Sequence, residues 1–216
     1  MKRRGIFITI EGIDGTGKST QFRLLARHLR GRGIRVCATR EPGGTKVGEK
    51  VRRILLASKT GKLAAHAELA LIYAARAQHL EQVVRPALAR GEMVVSDRYN
   101  DASFAYQGYG RQLGVETVRA FDRLVCGTTQ PDLTIVLDLE PRRALARAHG
   151  RETLRNSRQG RFEGQGLAFH RRVRRGYLEI AKREPHRVKV VRADRPVAEV
   201  QAAIRNLVDE FLAQHQ

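Results

Sequence analysis

The chain has 216 residues, 42% of them hydrophobic, and carries 41 Lys and Arg against 22 Asp and Glu, a net charge of +19. That length suits a single domain with a proper core, and the charge suits polyanionic partners such as nucleotides, nucleic acid or an acidic surface. No apolar run approaches the roughly 20 residues of a membrane span, only Gly5 to Ile10 separate Lys2-Arg3-Arg4 from Glu11, too few for a secretory leader, and Cys37 and Cys126 lack metal-site spacing and read as reduced thiols of a cytoplasmic protein.

Gly5–Glu11 holds the apolar, β-branched run Ile6-Phe7-Ile8-Thr9-Ile10 and predicts a buried strand. Gly12-Ile13-Asp14-Gly15-Thr16-Gly17-Lys18-Ser19 follows and fits G-x-x-x-x-G-K-[ST], with Thr20 just beyond. The glycines let backbone N–H groups turn inward around phosphate oxygens. Lys18 would bridge the β- and γ-phosphates of ATP, and the Ser19 hydroxyl would ligate Mg²⁺. Phe22, Leu24, Leu25, Ala26 and Leu29 then recur on a helical period over about Lys18–Arg32, closed by Gly31 and Gly33. Strand, glycine loop and helix are the setting that a phosphate-binding loop requires, and the helix adds its N-terminal dipole.

A second strand is expected at Ile34–Thr39, leading into Arg40-Glu41-Pro42-Gly43-Gly44-Thr45. A short helix follows at about Gly48–Leu56, then a polar loop at Ser58–Leu63 and a long helix at about Ala65–Arg90. Leu69, Leu71, Ile72, Tyr73, Leu80, Val83 and Val84 leave that helix apolar on more than one side, which predicts a second partner, another subunit among the candidates. Met93–Ser96 is the third strand. A polar stretch with Asp97-Arg98-Tyr99 precedes a helix near Val115–Cys126. Leu133–Leu139 is the fourth strand, with helices near Arg142–Ala148 and Leu167–Arg183 after it. Arg187–Val191 and Pro196–Ala213 close the chain, with Asp194 as N-cap. Strands alternating with helices give an α/β fold: a five-stranded parallel sheet flanked by helices on both faces, the three-layer α/β/α of P-loop NTPases, as one domain over 1–216.

Ligands in such a fold gather at the carboxyl ends of the strands. Three polar clusters converge there: Asp14 with the glycine loop, Arg40-Glu41-Pro42-Gly43, and Asp97-Arg98-Tyr99. Asp97 can hold Mg²⁺ through water or accept a proton, and Arg98 can grip a phosphate bidentately. Charge on a transferred phosphoryl group calls for arginine from above the site, and the glycine loop has none. The segment at about 149–166 is glycine-rich and charged and reads as a mobile lid. Arg147 and Arg151, four apart, and Arg161 are the candidates to act from it. Eleven arginines and only Glu152 and Glu163 lie between Arg142 and Arg175, either a solvated face or a set of phosphate ligands.

Six stretches carry a further signal: EGIDGTGKST at Glu11–Thr20, TREPGGT at Thr39–Thr45, YAARAQ at Tyr73–Gln78, DRYNDASFAYQGYGR at Asp97–Arg111, PDLTIVLD at Pro131–Asp138 and RRGYLEIA at Arg174–Ala181. With them the chain resembles the bacterial thymidylate kinases over nearly its whole length. The resemblance implies ATP + dTMP → ADP + dTDP with Mg²⁺, in a homodimer built on the long helix 65–90. It implies that Asp14 lies near the acceptor's sugar and phosphate, and that Glu41, beside Pro42, lies near the acceptor and the metal. Arg76 and Arg98 would hold the dTMP phosphate, with Asp97 next to them at the metal. Ser103 and Gln107 would face the thymine edge, and Tyr106 would pack on the sugar and disfavour a 2′-hydroxyl. Gly15 stands where other members carry a loop arginine, which places the catalytic arginine in the lid. Two positions depart from the family pattern. Ile72 replaces the phenylalanine on which thymine stacks, so either Tyr73 covers the ring or an aliphatic contact serves at a cost of roughly 0.5–1.5 kcal/mol. Gly160-Arg161-Phe162-Glu163 and Gly164-Gln165-Gly166 make the lid poorer in acids and richer in glycine. Two alternatives stand beside this reading: a divergent paralogue acting on another monophosphate such as dUMP, and a P-loop nucleic-acid-associated protein with vestigial kinase activity. The sequence holds no DNA-reading motif, so nucleic-acid binding is not expected.

Overall fold

The computed structural model describes residues 4–57, 63–155, 162 and 165–215. Five strands form one parallel sheet: β1 (Phe7–Glu11), β2 (Val36–Arg40), β3 (Met93–Asp97), β4 (Leu133–Asp138) and β5 (Val188–Arg192), in the order β2-β3-β1-β4-β5. Every residue of β1 is buried, as a central parallel strand requires. Ile8 and Ile10 point to one face and Phe7, Thr9 and Glu11 to the other, by the two-residue alternation of a strand. β1 pairs with β3 through Ile10↔Asp97 and with β4 through Glu11↔Val136, so the carboxyl ends of the three strands form one edge.

Helices cover both faces. α1 (Lys18–Gly31) puts Leu25 and Leu29 against Ile8 and Ile10, together with Ile204 and Val208 of α9 (Val197–His215). On the other face α3 (Ala65–His79), a π-helical turn at Leu80–Val84, α4 (Arg85–Ala89) and α6 (Val115–Val125) bury Leu69, Tyr73, Leu80, Leu88 and Val118 against Phe7 and Val94. α2 (Lys46–Leu56) closes a third cluster, Val51 and Leu55 on Ile72 and Ala75. Its N-cap is Thr45, whose Oγ1 accepts from the Gly48 N–H at 2.9 Å.

Four sequence expectations change here. Leu69, Ile72, Tyr73, Ala75, Leu80 and Val84 of the long helix are buried in the same chain, against the sheet, α2 and α6, while Ala70, Ala74 and Ala77 stay exposed. That helix is also not α-helical throughout: Pro86 has no N–H to give the carbonyl of Gln82, and the π turn sits just before it. The stretch after Asp97 is helical, as α5 (Asn100–Ser103) and a π-helical run at Phe104–Gly110. Gly110 and Gly176 allow that run to press on α8 (Leu167–Arg183): a Cβ on Gly110 would stand 2.8 Å from Phe169 and Val173, and one on Gly176 would stand 2.8 Å from Tyr109. Finally, Asp194 lies outside α9, which starts at Val197, and its carboxylate takes the Arg192 guanidinium at 2.8 Å.

α7 (Pro141–Arg155) runs seven residues past the expected Ala148 and so enters the segment expected to be a lid. The rest of that segment, including Arg161, lies outside the described residues apart from Phe162, Gln165 and Gly166.

Candidate active site

The carboxyl edge of β1, β2 and β3 opens into a cavity of about 500 Å³. Asp14, Gly15, Gly17, Lys18 and Ser19 line it from the glycine loop, and Arg40, Glu41 and Pro42 from the end of β2. Asp97, Arg98 and Tyr99 line it from the end of β3, Ile72 and Arg76 from α3, and Ser103, Tyr106 and Gln107 from the helical run after β3. The three strand-end clusters therefore do meet. Of the residues assigned to the acceptor, Tyr73 does not reach the cavity. It is buried behind Arg76, with its ring 4.5 Å from the Arg76 guanidinium carbon and 5.5 Å from Phe121.

The course of the loop depends on its glycines. Gly15 and Gly17 have φ of 87° and 93°, which suit glycine alone. A Cβ on Gly15 would stand 1.8 Å from the Ala144 carbonyl oxygen, so the backbone of α7 occupies the space where a loop arginine would begin. Lys18 Nζ donates to the Ile13 carbonyl at 2.9 Å and lies 3.6 Å from Asp14. Thr16 Oγ1 donates to the same carbonyl at 2.9 Å. Burial, with Arg98 nearby, pushes the Lys18 ammonium down to about 8. The Ser19 hydroxyl donates to Asp97 at 3.1 Å.

Arg98 is the most constrained residue of the site. Its φ is 75°, unusual for a residue with a side chain. The backbone is clamped in that state: Arg98 N–H donates to Ile10 O at 3.1 Å and its carbonyl accepts from Ser96 Oγ at 2.7 Å. The guanidinium donates to Asp14 Oδ1 at 2.7 Å, Gly12 O at 3.0 Å, and the Tyr106 and Tyr177 hydroxyls at 3.1 Å each. Burial alone would raise the Asp14 carboxyl, but Arg98 and Lys18 outweigh it and hold Asp14 well below the usual range. Beneath lies Glu11, wholly buried, accepting from the Tyr99 N–H and the Tyr177 hydroxyl at 2.7 Å each. Burial pushes its carboxyl up to about 7, against the pull of Arg98.

Arg76 is the second buried cation. It donates to Glu41 Oε2 at 2.7 Å, Ser103 Oγ at 3.0 Å and Tyr99 O at 2.9 Å, which leaves N–H groups of its five over. Glu41 also accepts from His79 Nδ1 at 2.8 Å, and the other ring nitrogen of His79 meets Thr39 Oγ1 at 2.6 Å. Burial alone would raise the Glu41 carboxyl; Arg76 and His79 outweigh it and hold it low.

Three contributors were not expected from sequence. Arg52 of α2 lines the cavity and donates to the Pro42 carbonyl at 2.9 Å; its signal was the helical spacing that puts it beside Leu55 and Leu56. Phe162 lines it too, with its ring 5.6 Å from Tyr106. Tyr177 was visible only as part of a motif. Arg147 lies on α7 and donates to the Ala193 carbonyl at 2.9 Å. The backbone of Arg151 is in α7, and its side chain lies outside the described ones.

Among the described residues no three His, Cys, Asp or Glu cluster as a metal cage. Ser19 beside Asp97 suits a hard cation that takes one hydroxyl and one carboxylate and leaves its other positions to water and phosphate.

The chain matches the family model described as Thymidylate kinase over residues 10–204. It is 47% identical to the thymidylate kinase of Pseudomonas savastanoi pv. phaseolicola over 208 residues, covering 96% of this chain and 97% of that one. It is 50% identical to the thymidylate kinase of Pseudomonas putida (strain W619) over 207 residues, with 96% and 98% covered. Among solved structures it is similar to the crystal structure of thymidylate kinase from Ehrlichia chaffeensis, with a TM-score of 0.77, 32% identity, and 95% and 99% covered.

Proposed function

The chain belongs to the thymidylate kinase family, and from that premise we propose how its residues divide the transfer of the ATP γ-phosphoryl group to dTMP. The observation that supports the assignment is the single cavity that unites the glycine loop with Arg76, Arg98, Ser103 and Gln107. Backbone N–H groups of the loop and Lys18 take the donor phosphates, the ammonium leaving Ile13 O for phosphate oxygen. Arg98 and the free N–H groups of Arg76 take the acceptor phosphate. Asp14 and Glu41 keep these cations in place, so that transfer proceeds between groups already positioned. Glu41 spends both oxygens on Arg76 and His79, which makes it an anchor of the acceptor side; a metal contact would have to share them. Mg²⁺, when bound, neutralises charge on the phosphate oxygens, and Ser19 and Asp97 are the residues that would hold it. Tyr106 and Ile72 wall the sugar and base, and Ser103 and Gln107 take the base edge.

Charge on the transferred group is assigned to Arg151 of α7, and to Arg147 only once its guanidinium, which lies outside the cavity lining, leaves the Ala193 carbonyl; the backbone of α7 fills the space above Gly15. The proposal extends to one domain over 1–216 with a lid at about 149–166, and to a homodimer. The exposed face of α3, with Ala67, Ala70, Ala74 and Ala77, and the exposed Leu124 on the neighbouring α6 support the dimer. A cytoplasmic location fits the reduced Cys37 and Cys126, and among the described residues no helix is long and apolar enough to cross a membrane. Another acceptor or a nucleic-acid partner gains no support from the similarities.

ADP release with ATP–Mg²⁺ and dTMP, dUMP, dCMP, dGMP, UMP or CMP tests the assignment, with Lys18→Ala as blank. Turnover on dTMP above the rest is expected. A folded protein that binds ATP but shows no acceptor-dependent turnover would overturn it.

A further inference from the structure

Glu68 is a charged residue inside the apolar run of α3, wholly buried, and no step above uses it. Both of its oxygens are occupied. Oε1 accepts from Gln107 Nε2 at 2.8 Å and from Arg111 Nε at 3.1 Å, and Oε2 accepts from Arg111 Nη2 at 2.9 Å. Arg111 is itself fixed. It donates to Gln165 at 2.8 Å, and its guanidinium carbon lies 4.9 Å from the Phe169 ring.

This arrangement decides which way the Gln107 amide faces. Oxygen and nitrogen of a side-chain amide have nearly the same shape, so the neighbours must choose between them. A carboxylate paired bidentately with a guanidinium has no proton to give. Glu68 can therefore accept only the NH₂ of Gln107, and Oε1 is left for another partner. Gln107 lines the cavity, where that oxygen can meet a base edge.

The sense of that amide matters for the base. An amide edge presents an acceptor and a donor side by side. Thymine and uracil present the N3–H donor beside the O4 acceptor. Cytosine presents the N3 acceptor beside its amino donor, the same pair in reverse. An amide free to turn over matches both. We propose that Glu68, held by Arg111, locks the Gln107 amide in one sense and so makes the acceptor site select pyrimidines protonated at N3, thymine and uracil, over cytosine. Glu68 is a positioning residue that acts through Gln107. The proposal rests on the reading of this cavity as the dTMP site.

A locked amide meets cytosine donor to donor and acceptor to acceptor. Sites built to hydrogen-bond a polar group reject a substrate that cannot answer by about 10⁴–10⁵-fold. In Glu68→Gln the new amide can donate as well as accept, so Gln107 can turn over. The dTMP:dCMP ratio of kcat/KM is expected to fall by at least about tenfold, a small part of that range. The dTMP:dUMP ratio should hold, since both bases share the N3–H and O4 edge, and the ATP KM should hold too. Glu68→Asp, which withdraws the carboxylate by one methylene, should shift the ratio in the same direction.

The experiment is steady-state kinetics on dTMP, dUMP and dCMP for the wild type, both Glu68 variants and Gln107→Ala. Acceptor kinetics unchanged in Gln107→Ala would mean that this cavity is not where the base binds, and the underlying reading falls. A weakened dTMP reaction in Gln107→Ala with wild-type dTMP:dCMP ratios in the Glu68 variants overturns the lock alone. If both Glu68 variants fail to fold, the ¹⁵N side-chain signal of Gln107 in the intact protein decides. One NH₂ proton shifted downfield and protected from exchange, with and without dTMP, is expected; a rapidly exchanging NH₂ overturns the proposal.

Discussion

Replacing Glu11 by glutamine should remove a pH dependence from the stability of this protein. The Glu11 carboxyl titrates at about 7 in the folded chain against 4.5 for the free side chain, because burial disfavours its charge more than Arg98 favours it. Below pH 4.5 both states hold the proton and the residue contributes nothing to the balance. Between 4.5 and 7 the native state keeps a proton that the unfolded chain has lost, so stability falls as pH rises. Above 7 the loss is complete. A separation of 7 − 4.5 units at 1.36 kcal/mol per unit amounts to about 3 kcal/mol. Glutamine has the same shape, still accepts from the Tyr99 N–H and can donate to the Tyr177 hydroxyl. Urea unfolding of both proteins at steps from pH 4.5 to 8 gives the difference directly. The wild type should lose about 3 kcal/mol relative to Glu11→Gln across that window, equivalent to about 6 °C in Tm for a chain of this size. Parallel stability curves would refute the reasoning, for they would show that Glu11 ionises as easily in the fold as in water.

Three further outcomes follow from the same geometry. Lys18→Ala should cut kcat by at least about 10²–10³-fold with the circular dichroism spectrum unchanged, since it removes a preorganised charge from the transferred group; an unaltered turnover number would overturn its assignment. Arg76→Ala should raise the dTMP KM by about 10–100-fold, the worth of a charge-assisted contact, and also lower Tm because Glu41 stays buried without its guanidinium; an effect confined to ATP would contradict the acceptor role. Gly15→Ala should abolish turnover and lower Tm. It adds about 1–2 kcal/mol of left-handed strain and sets a methyl against the Ala144 carbonyl; a fully active variant would mean that α7 does not lie against the loop.

How far the sequence showed all this depended on the range of the interaction. β1, the glycine loop and α1 were legible because the two-residue and 3.6-residue periods meet at a run of glycines, and these are local signals. The convergence of Asp14, Glu41, Asp97 and Arg98 was legible because a parallel sheet delivers every strand end to one edge. The helical run at 100–110 was not. Asn100, Asp101, Ser103, Gly108 and Gly110 are poor helix formers, and the run is held by packing on α8 across more than sixty residues of chain. Tyr73 was legible as a neighbour of Arg76 but not as the residue behind it. The partners of Glu68 and His79 lie some forty residues away in the chain, and no local period announces them.

The charge balance of the cavity then has a physical reason. Lys18, Arg40, Arg52, Arg76 and Arg98 face three carboxylates, Asp14, Glu41 and Asp97. Each carboxylate in a phosphate site repels the ligand. Here they fix the cations before the ligand arrives. Asp14 takes one edge of Arg98, and Glu41 takes the Nε of Arg76. A long side chain otherwise loses up to about 2 kcal/mol of rotamer entropy when it is ordered, and the ion pairs to Asp14 and Glu41 supply that ordering from within the protein. The net positive charge is left for the phosphates, and the arginine-rich helices behave alike. Arg174 is bidentate to Asp138, and Arg172 and Arg147 bind the carbonyls of Gly110 and Ala193. Arg174 and Arg147 tie α8 and α7 to the ends of β4 and β5, and Arg172 ties α8 to the helical run at Phe104–Gly110, which is why a basic run there coexists with a packed core.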